Sequence, residues 1–482
     1  MKIISFIRNN TIKIILLCTI IITMVVLYQN TEVFLSFIPF SFYLLFGILL
    51  IYGILIFYAK HNLPDMVYIL VIILVSFLLR LFFIIIVNTP ISSDFLLIYD
   101  AAKKVIVGDT SWQEQSFFST WSYQIPFVYY EALLLKLFRT ELILKIFNIA
   151  FMVSTNVLIY LIAKEYTNSR IAFISAFLYS IYPAPILLTS VLTNQHISLF
   201  FFITGIYFYL IRPTWLRMIL AGTFFALGNL MRPEGILVIG SVILHHLIMI
   251  QYNIKWKNLK QHLCKLLLLL LIYGLIMQMS TVLFKITGAA PHGIANNCPE
   301  WKFIVGLDTD SMGTYNEKNA SIILISDLQT RKEQAKDIIV KSLKSSKNIP
   351  LFFIEKFKIM WGRVEATTWS LSHIQNDKII FQLGDITYRH IIDLVLYFDK
   401  GIVIIQLMAL IFSCISMWKE QGRNNMFFFI ILIILNYFTY TLIEIQPRYR
   451  YFIMPSFFIL SAIPIEVFIK KLNSLAKNRD DS

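Results

Sequence analysis

The chain has 482 residues, of which 58% are hydrophobic, 15% aromatic and only 15% charged, with a mean hydropathy of +0.72. That balance excludes a soluble multi-domain protein and describes a polytopic membrane protein. The formal net charge of +14 does not point to nucleic acid, because most Lys and Arg clusters fall between apolar runs, where membrane topology and anionic lipid account for them.

Lys2, Arg8 and Lys13 precede the first apolar run, no small-residue cleavage site follows it, and the next segment is again apolar. The run therefore reads as a retained anchor rather than a signal peptide. With about 20 apolar residues needed per crossing, twelve spans are expected: about 12–28, 36–58, 66–88, 142–163, 171–190, 195–211, 216–231, 233–250, 264–285, 397–418, 426–443 and 450–469. Orientation follows from the loops. The basic groups at Lys60, at Lys164 and Arg170, at Arg212 and Arg217, at Lys255 to Lys265, at Lys419 and Arg423, and in the tail from Lys470 all fall on one side if both termini are cytoplasmic.

Residues 126–138, PFVYYEALLLKLF, are too short to cross and contain Glu131 and Lys136, so they read as a juxtamembrane helix on the outer face. Counting them as a span would invert every later loop and put the lysine-rich stretch at 255–265 outside. The expected organisation is an all-α transmembrane bundle: residues 1–88 as N-terminal helices, 89–141 as a first outer loop, 142–285 as a central bundle, 286–396 as an outer soluble insertion, and 397–482 as C-terminal helices with a cytoplasmic tail. In the insertion, Leu328 to Ser345 reads as a helix and NIPLFFIEKFKIMWGRVE as an interfacial amphipathic piece. Neither an internal repeat nor a low-complexity tract is evident.

Cys18, Cys264, Cys298 and Cys414 form no CxxC or Cys/His spacing, so neither a zinc site nor a disulfide framework is supported. The chain has no GxxxxGK[ST], HExxH or GxSxG motif, which removes the parts of an ATP-driven pump, a zinc protease and a serine hydrolase.

Four polar clusters face outward on this topology. The first lies in TPISSDFLLIYDAAKKVIVGD, where a membrane exit turns polar: Asp94, with Tyr99 and Asp100, precedes a helical pattern of Leu97, Ala101 and Val105. A carboxylate at that depth is either a site or a group resting in interfacial water. The second is Thr193 to His196, including Asn194, where an ordinary turn with a structurally satisfied histidine competes with a ligand-binding role. The third is NLMRPEG, where Arg232 and Glu234 form either a self-neutralising loop pair or part of an anion site. The fourth is EIQPRYRY, with Gln446, Arg448, Tyr449 and Arg450, either an interfacial anchor or a grip on a lipid phosphate. Two outward arginine motifs, on the side that topology disfavours for positive charge, favour phosphate. Elsewhere, Arg80 either snorkels outward or pairs with a loop carboxylate such as Asp94, and His245 and His246 read as cytoplasmic interface residues.

In order, SSDFLLIYDAAKKVIVGD, LYSIYPAPILLTSVLTNQ, GNLMRPEG and EIQPRYRYFIMPSF resemble the membrane glycosyltransferases of the GT-C fold. The likeness is closest to the family 39 group that includes protein O-mannosyltransferases and aminoarabinose transferases acting on lipid A, and it runs from about Thr89 to Pro455. It implies a multi-pass enzyme of the cell membrane that works at the outer face, with a polyprenyl-phosphate sugar as donor and co-substrate and a glycan, lipid or protein as acceptor. On the resemblance Asp94 is the catalytic base or helps to hold a divalent metal, and Arg232 and Arg448 receive the donor phosphate. Tyr99 and Gln446 shape the pocket, with Asp100, Asn194, Glu234 and Tyr449 as further candidate substrate contacts. Relatives often carry an acidic residue where this chain has Asn194 and Gln195, which weighs against a carboxylate pair. Direct attack on an activated lipid-phosphate sugar needs one base and inverts the anomeric centre. Two rivals remain: a transporter or flippase of lipid-linked sugars, against which the one-sided polar groups argue, and a scaffold that binds a partner through 286–396.

Overall fold

The computed structural model describes residues 2–35, 47–51, 53, 63–253, 256–346, 348–362, 367–374, 379–381, 386–419 and 424–480. Beyond a few single turns, the helices are α1 (Lys2–Leu35), α2 (Asp65–Ile86), α3 (Asp94–Ile106), α4 (Ile125–Phe138), α5 (Leu142–Tyr166), α6 (Ser169–Ser180), α7 (Pro183–Leu188), α8 (Gln195–Leu210) and α9 (Trp215–Met231). They continue as α10 (Gly235–Asn253), α11 (Trp256–Ile286), α12 (Glu300–Gly306), α13 (Leu328–Ser345), α14 (Ile349–Gly362), α15 (Tyr388–Lys419), α16 (Phe427–Leu442) and α17 (Met454–Asp480). A short antiparallel ribbon, β1 (Ile379–Phe381) with β2 (Ile386–Thr387), is a small departure from the all-α expectation.

Among the described residues five helices are long and apolar enough to cross a membrane: Asn10–Leu35, Asp65–Ile86, Leu142–Tyr166, Leu259–Ile286 and Tyr388–Lys419. Gln195–Leu210, Trp215–Met231, Gly235–Ile248 and Phe427–Leu442 are shorter and equally apolar. The expected span at 36–58 falls largely outside the described residues. The one expected at 171–190 is instead broken into α6 and α7: Pro183 cannot continue the helix, and it holds Tyr182 in an extended conformation (ψ 123°). The helix α15 begins at Tyr388, inside the stretch expected as the insertion.

The helix faces follow from residue spacing. Along α2, Tyr68, Ile72, Ser76, Arg80 and Ile84 recur every fourth residue and are buried, while Leu70, Leu74, Phe82 and Ile85 point outward. By contrast α16 is buried on all sides from Phe427 to Ile434 and forms the centre of the bundle with α17. The amphipathic α3 buries Phe95, Ile98, Ala101 and Ala102. Its inward face is thus offset from the expected Leu97, Ala101, Val105 line, and Leu97 is exposed. With α4 it builds a second apolar cluster around Trp112 and Phe118.

Polar staples mark the two ends of the bundle. At one end the Asp65 carboxylate accepts from Tyr160 Oη (2.9 Å) and Ser169 Oγ (2.6 Å) and pairs with Lys164, tying α2 to α5 and α6. At the other, Thr89 Oγ1 meets Ser190 Oγ (2.7 Å) and donates to the Ser370 carbonyl (3.0 Å). Arg80 neither snorkels nor pairs with Asp94. Wholly buried, it donates through Nη1 to the Ser76 carbonyl and hydroxyl and to the Ser180 carbonyl (3.1 Å), because α6 ends beside it with free carbonyls.

Candidate active site

Past the end of α16 the chain is extended at Ile443 and Gln446, then turns through a 3₁₀ segment, Pro447–Phe452, whose proline occupies the first turn without needing a donor. The extended piece lies beside the insertion. Glu444 N–H donates to the Lys302 carbonyl (2.8 Å) and Ile445 N–H to the Gly313 carbonyl (2.9 Å). Gly306 permits this approach, since a Cβ there would stand 2.2 Å from the Ile443 carbonyl carbon.

These contacts gather three cations around one ring. Tyr449 stacks on Tyr440 (5.7 Å between centroids) and has Arg232, Arg448 and Lys302 at 5.4, 5.9 and 6.0 Å from its face. Two carboxylates serve the same group. Glu444 accepts from Lys302 Nζ (2.5 Å), Gln446 Nε2 (3.0 Å) and Tyr449 Oη (3.2 Å). Burial alone would raise its pKa, but the Lys302 ammonium and these donors hold it below the usual range. Glu234 accepts from Arg232 Nε at 2.7 Å, and Arg232 Nη1 also reaches Asn194 Oδ1 (3.3 Å). Burial raises Glu234, with the Arg232 charge opposing.

Arg448 is held differently. Its Nε donates to Gln446 Oε1 (2.8 Å), and its guanidinium lies over Trp369 (4.5 Å) and Phe95 (5.2 Å). Among the described residues no carboxylate stands within ion-pair distance of it, so its terminal donors remain available to an anion.

Asp94 opens α3, next to Phe95, after Ser93 takes a left-handed φ of 55°. The residue is exposed at the surface, with protein packed around part of its side chain. That enclosure raises its pKa, with Arg448 and Lys302 opposing and Glu444 adding to the rise. The carboxylate therefore stands in the field of the cationic group.

The sequence candidates do not all converge. Arg232, Glu234, Gln446, Arg448 and Tyr449 share one cluster with Asn194, which is engaged by Gln124 (3.0 Å) and the Met231 carbonyl (2.8 Å) as well as Arg232. Gln195 Nε2 supports the turn by donating to the Arg448 carbonyl (2.9 Å). His196 is a satisfied core group between Tyr451 Oη (2.5 Å) and the Leu188 carbonyl (3.0 Å). Tyr99 and Asp100 lie on another side of α3, where Lys103 sits over the Tyr99 ring (4.6 Å) and pairs with Asp100 (2.6 Å). Arg450 points inward to the Trp361 carbonyl (2.6 Å). Lys302, Trp369 and Phe95 were not singled out by sequence: Lys302 and Trp369 stand in an insertion without a motif, and Phe95 reads as an ordinary apolar helix residue. Among the described residues no three His, Cys, Asp or Glu side chains cluster as metal ligands. A carboxylate in the field of the Arg448 and Lys302 cations, with no cluster of further ligands, does not fit a divalent metal.

A bundle of apolar helices with a charged group gathered at one end is the arrangement of the GT-C fold. Residues 126–277 match a family described as dolichyl-phosphate-mannose-protein mannosyltransferase, a resemblance that covers about a third of the chain. No curated protein matches by sequence. The fold resembles the archaeal oligosaccharyltransferase AglB from Archaeoglobus fulgidus in complex with an inhibitory peptide and a dolichol-phosphate: TM-score 0.51, 14% identity, 87% of this chain and 52% of that one. It is also similar to the apo form of an A. fulgidus oligosaccharyltransferase (0.50, 15%, 86% and 52%) and to that enzyme tethered to an acceptor peptide (0.50, 14%, 85% and 50%). The chain spans about half the length of these structures.

Proposed function

We propose that this protein is a membrane glycosyltransferase that moves a sugar from a polyprenyl-phosphate donor to an acceptor hydroxyl at the outer membrane face. The observation that carries the reading is the meeting of Arg448, Arg232 and Lys302 around Tyr449, with the Asp94 carboxylate in their field. Arg448 is the strongest candidate for the donor phosphate, since Arg232 and Lys302 each hold a carboxylate and Arg448 holds only an amide. The resemblance to a dolichyl-phosphate-mannose family and to an oligosaccharyltransferase described with dolichol-phosphate supports the donor class.

In this reading Asp94 accepts the acceptor's hydroxyl proton as its oxygen bonds to the anomeric carbon. The bond from that carbon to the phosphate oxygen breaks, and the electron pair leaves on the phosphate. Arg448, with Arg232 and Lys302 behind it, stabilises the charge that develops there. The raised pKa of Asp94 makes it a stronger base than an ordinary aspartate, while the nearby Arg448 and Lys302 charges favour its ionised form. The site needs no nucleotide, since the donor is already activated.

The test is transfer from a panel of radiolabelled polyprenyl-phosphate sugars by the purified protein, beside Asp94→Asn. Turnover that the variant loses by about 10²-fold or more supports the transferase. Full activity in the variant removes Asp94 from the chemistry. Movement of the lipid across liposomes without transfer would make the protein a flippase.

A further inference from the structure

Lys356, in α14, is 1% exposed, and no carboxylate stands within ion-pair distance of it among the described residues. Its Nζ donates to three main-chain carbonyls: Gly306 at the end of α12, and Thr441 (3.0 Å) and Ile443 (2.8 Å) at the end of α16. Three carbonyls take all three N–H groups of an ammonium. A methionine would fill the same length without desolvating a charge, so what the lysine contributes is the three directed bonds. Those bonds join two segments of separate origin. One bears Lys302 and the other bears Glu444, and the pair meets through Glu444 N–H to Lys302 O and Ile445 N–H to Gly313 O. The chain packs closely at Gly313 and Gly306. A Cβ on Gly313 would stand 2.7 Å from Lys356 Cε, and one on Gly306 would strike Ile443.

We propose that Lys356 is a positioning residue: it clamps the end of α12 to the end of α16, and so holds Lys302 of the insertion against the turn that carries Glu444 and Arg448. The anion site is then assembled jointly by insertion and bundle. Its use for a lipid phosphate rests on the function proposed above, whereas the clamp concerns only the two segments. Burial pushes the Lys356 amine down to about 7, with Glu444 opposing, so the clamp is sensitive to loss of a proton near neutrality. A neutral amine offers two N–H groups to three carbonyls.

The charged groups facing Lys356 do not titrate with it. Glu444 is held below the usual carboxylate range: burial alone would raise it, but Lys302 opposes. Lys302 is held above the ordinary lysine range: burial alone would lower it, but Tyr449 and Glu444 oppose. On the same helix Lys358 is raised by Glu32 of α1.

The experiment uses the full chain in detergent, hydrogen exchange at residues 300–313 and 441–450, and farnesyl phosphate as the probe. In Lys356→Met, exchange in both segments should rise about tenfold and farnesyl phosphate affinity should fall about tenfold, with the thermal midpoint nearly unchanged. Unchanged exchange overturns the clamp, whatever happens to affinity. Faster exchange in the variant, without farnesyl phosphate binding by the wild type, upholds the clamp and removes the phosphate reading. If Lys356→Met does not fold, the wild type decides alone. After correction for intrinsic rates, exchange at the Glu444 and Ile445 amides should rise as pH climbs through the Lys356 pKa, and a profile that stays flat to above the ordinary lysine value of 10.5 overturns the proposal.

Discussion

Arg448 and Arg232 show how identical side chains acquire different roles from their partners. Arg232 is locked by Glu234 and Asn194, whereas Arg448 has an amide, three aromatic faces and unclaimed terminal donors. Arg448→Gln should therefore lower transfer by about 10²-fold, the cost of one donor to developing oxyanion charge, and should weaken lipid-phosphate binding. It should also move the acid limb of the pH profile. In the proposed mechanism Asp94 acts ionised, so activity should fall as pH drops through its pKa, which burial raises and Arg448 lowers. With the guanidinium gone the pKa rises further, and the acid limb of kcat/KM should shift to higher pH. A shift in the opposite direction would separate Asp94 from Arg448. Asp94→Asn should remove that limb together with the activity.

Single glycines set how closely the helices approach. Gly222 brings α9 onto α11, and a Cβ there would stand 2.6 Å from the Leu269 carbonyl oxygen, a backbone atom that cannot rotate away. Gly222→Leu should lower thermal stability by about 1–3 kcal/mol through overpacking, read by unfolding in detergent, and leave the site's chemistry unchanged if the bundle holds. The break between α6 and α7 has a comparable role. Stopping α6 at Ser180 leaves the carbonyl that Arg80 takes, and a continuous helix over 171–190 would have consumed it.

For the whole molecule, the staples at Asp65 and at Thr89 mark opposite ends, and Asp94, Arg232 and Arg448 belong to the second. The loop charges predict that the Asp65 end is cytoplasmic. A thiol placed at Ser474, exposed in α17, should label only from the cytoplasmic side, and one at Leu324, 79% exposed in the insertion, only from outside. Labelling of both from one side would refute the topology and the outer-face site with it.

The sequence by itself determined the membrane class, most of the apolar helices and the polar turns that hold Asp94, Arg232 and Arg448, because hydropathy and motif adjacency are local properties. It identified Leu328 to Ser345 as a helix for the same reason. Tertiary structure alone decided which charges pair. Lys302 and Glu444 are 142 positions apart, Lys356 and Gly306 are 50 apart, and no local pattern marks either contact. Tyr99 and Asp100 read as substrate contacts beside Asp94 because they are near in sequence, yet a helix turns about 100° per residue and carries them to another side. Burial of a charge is likewise a property of the packed molecule: only the fold shows that Arg80 donates through Nη1 to the end of a broken helix and that Lys356 is held by carbonyls rather than a carboxylate.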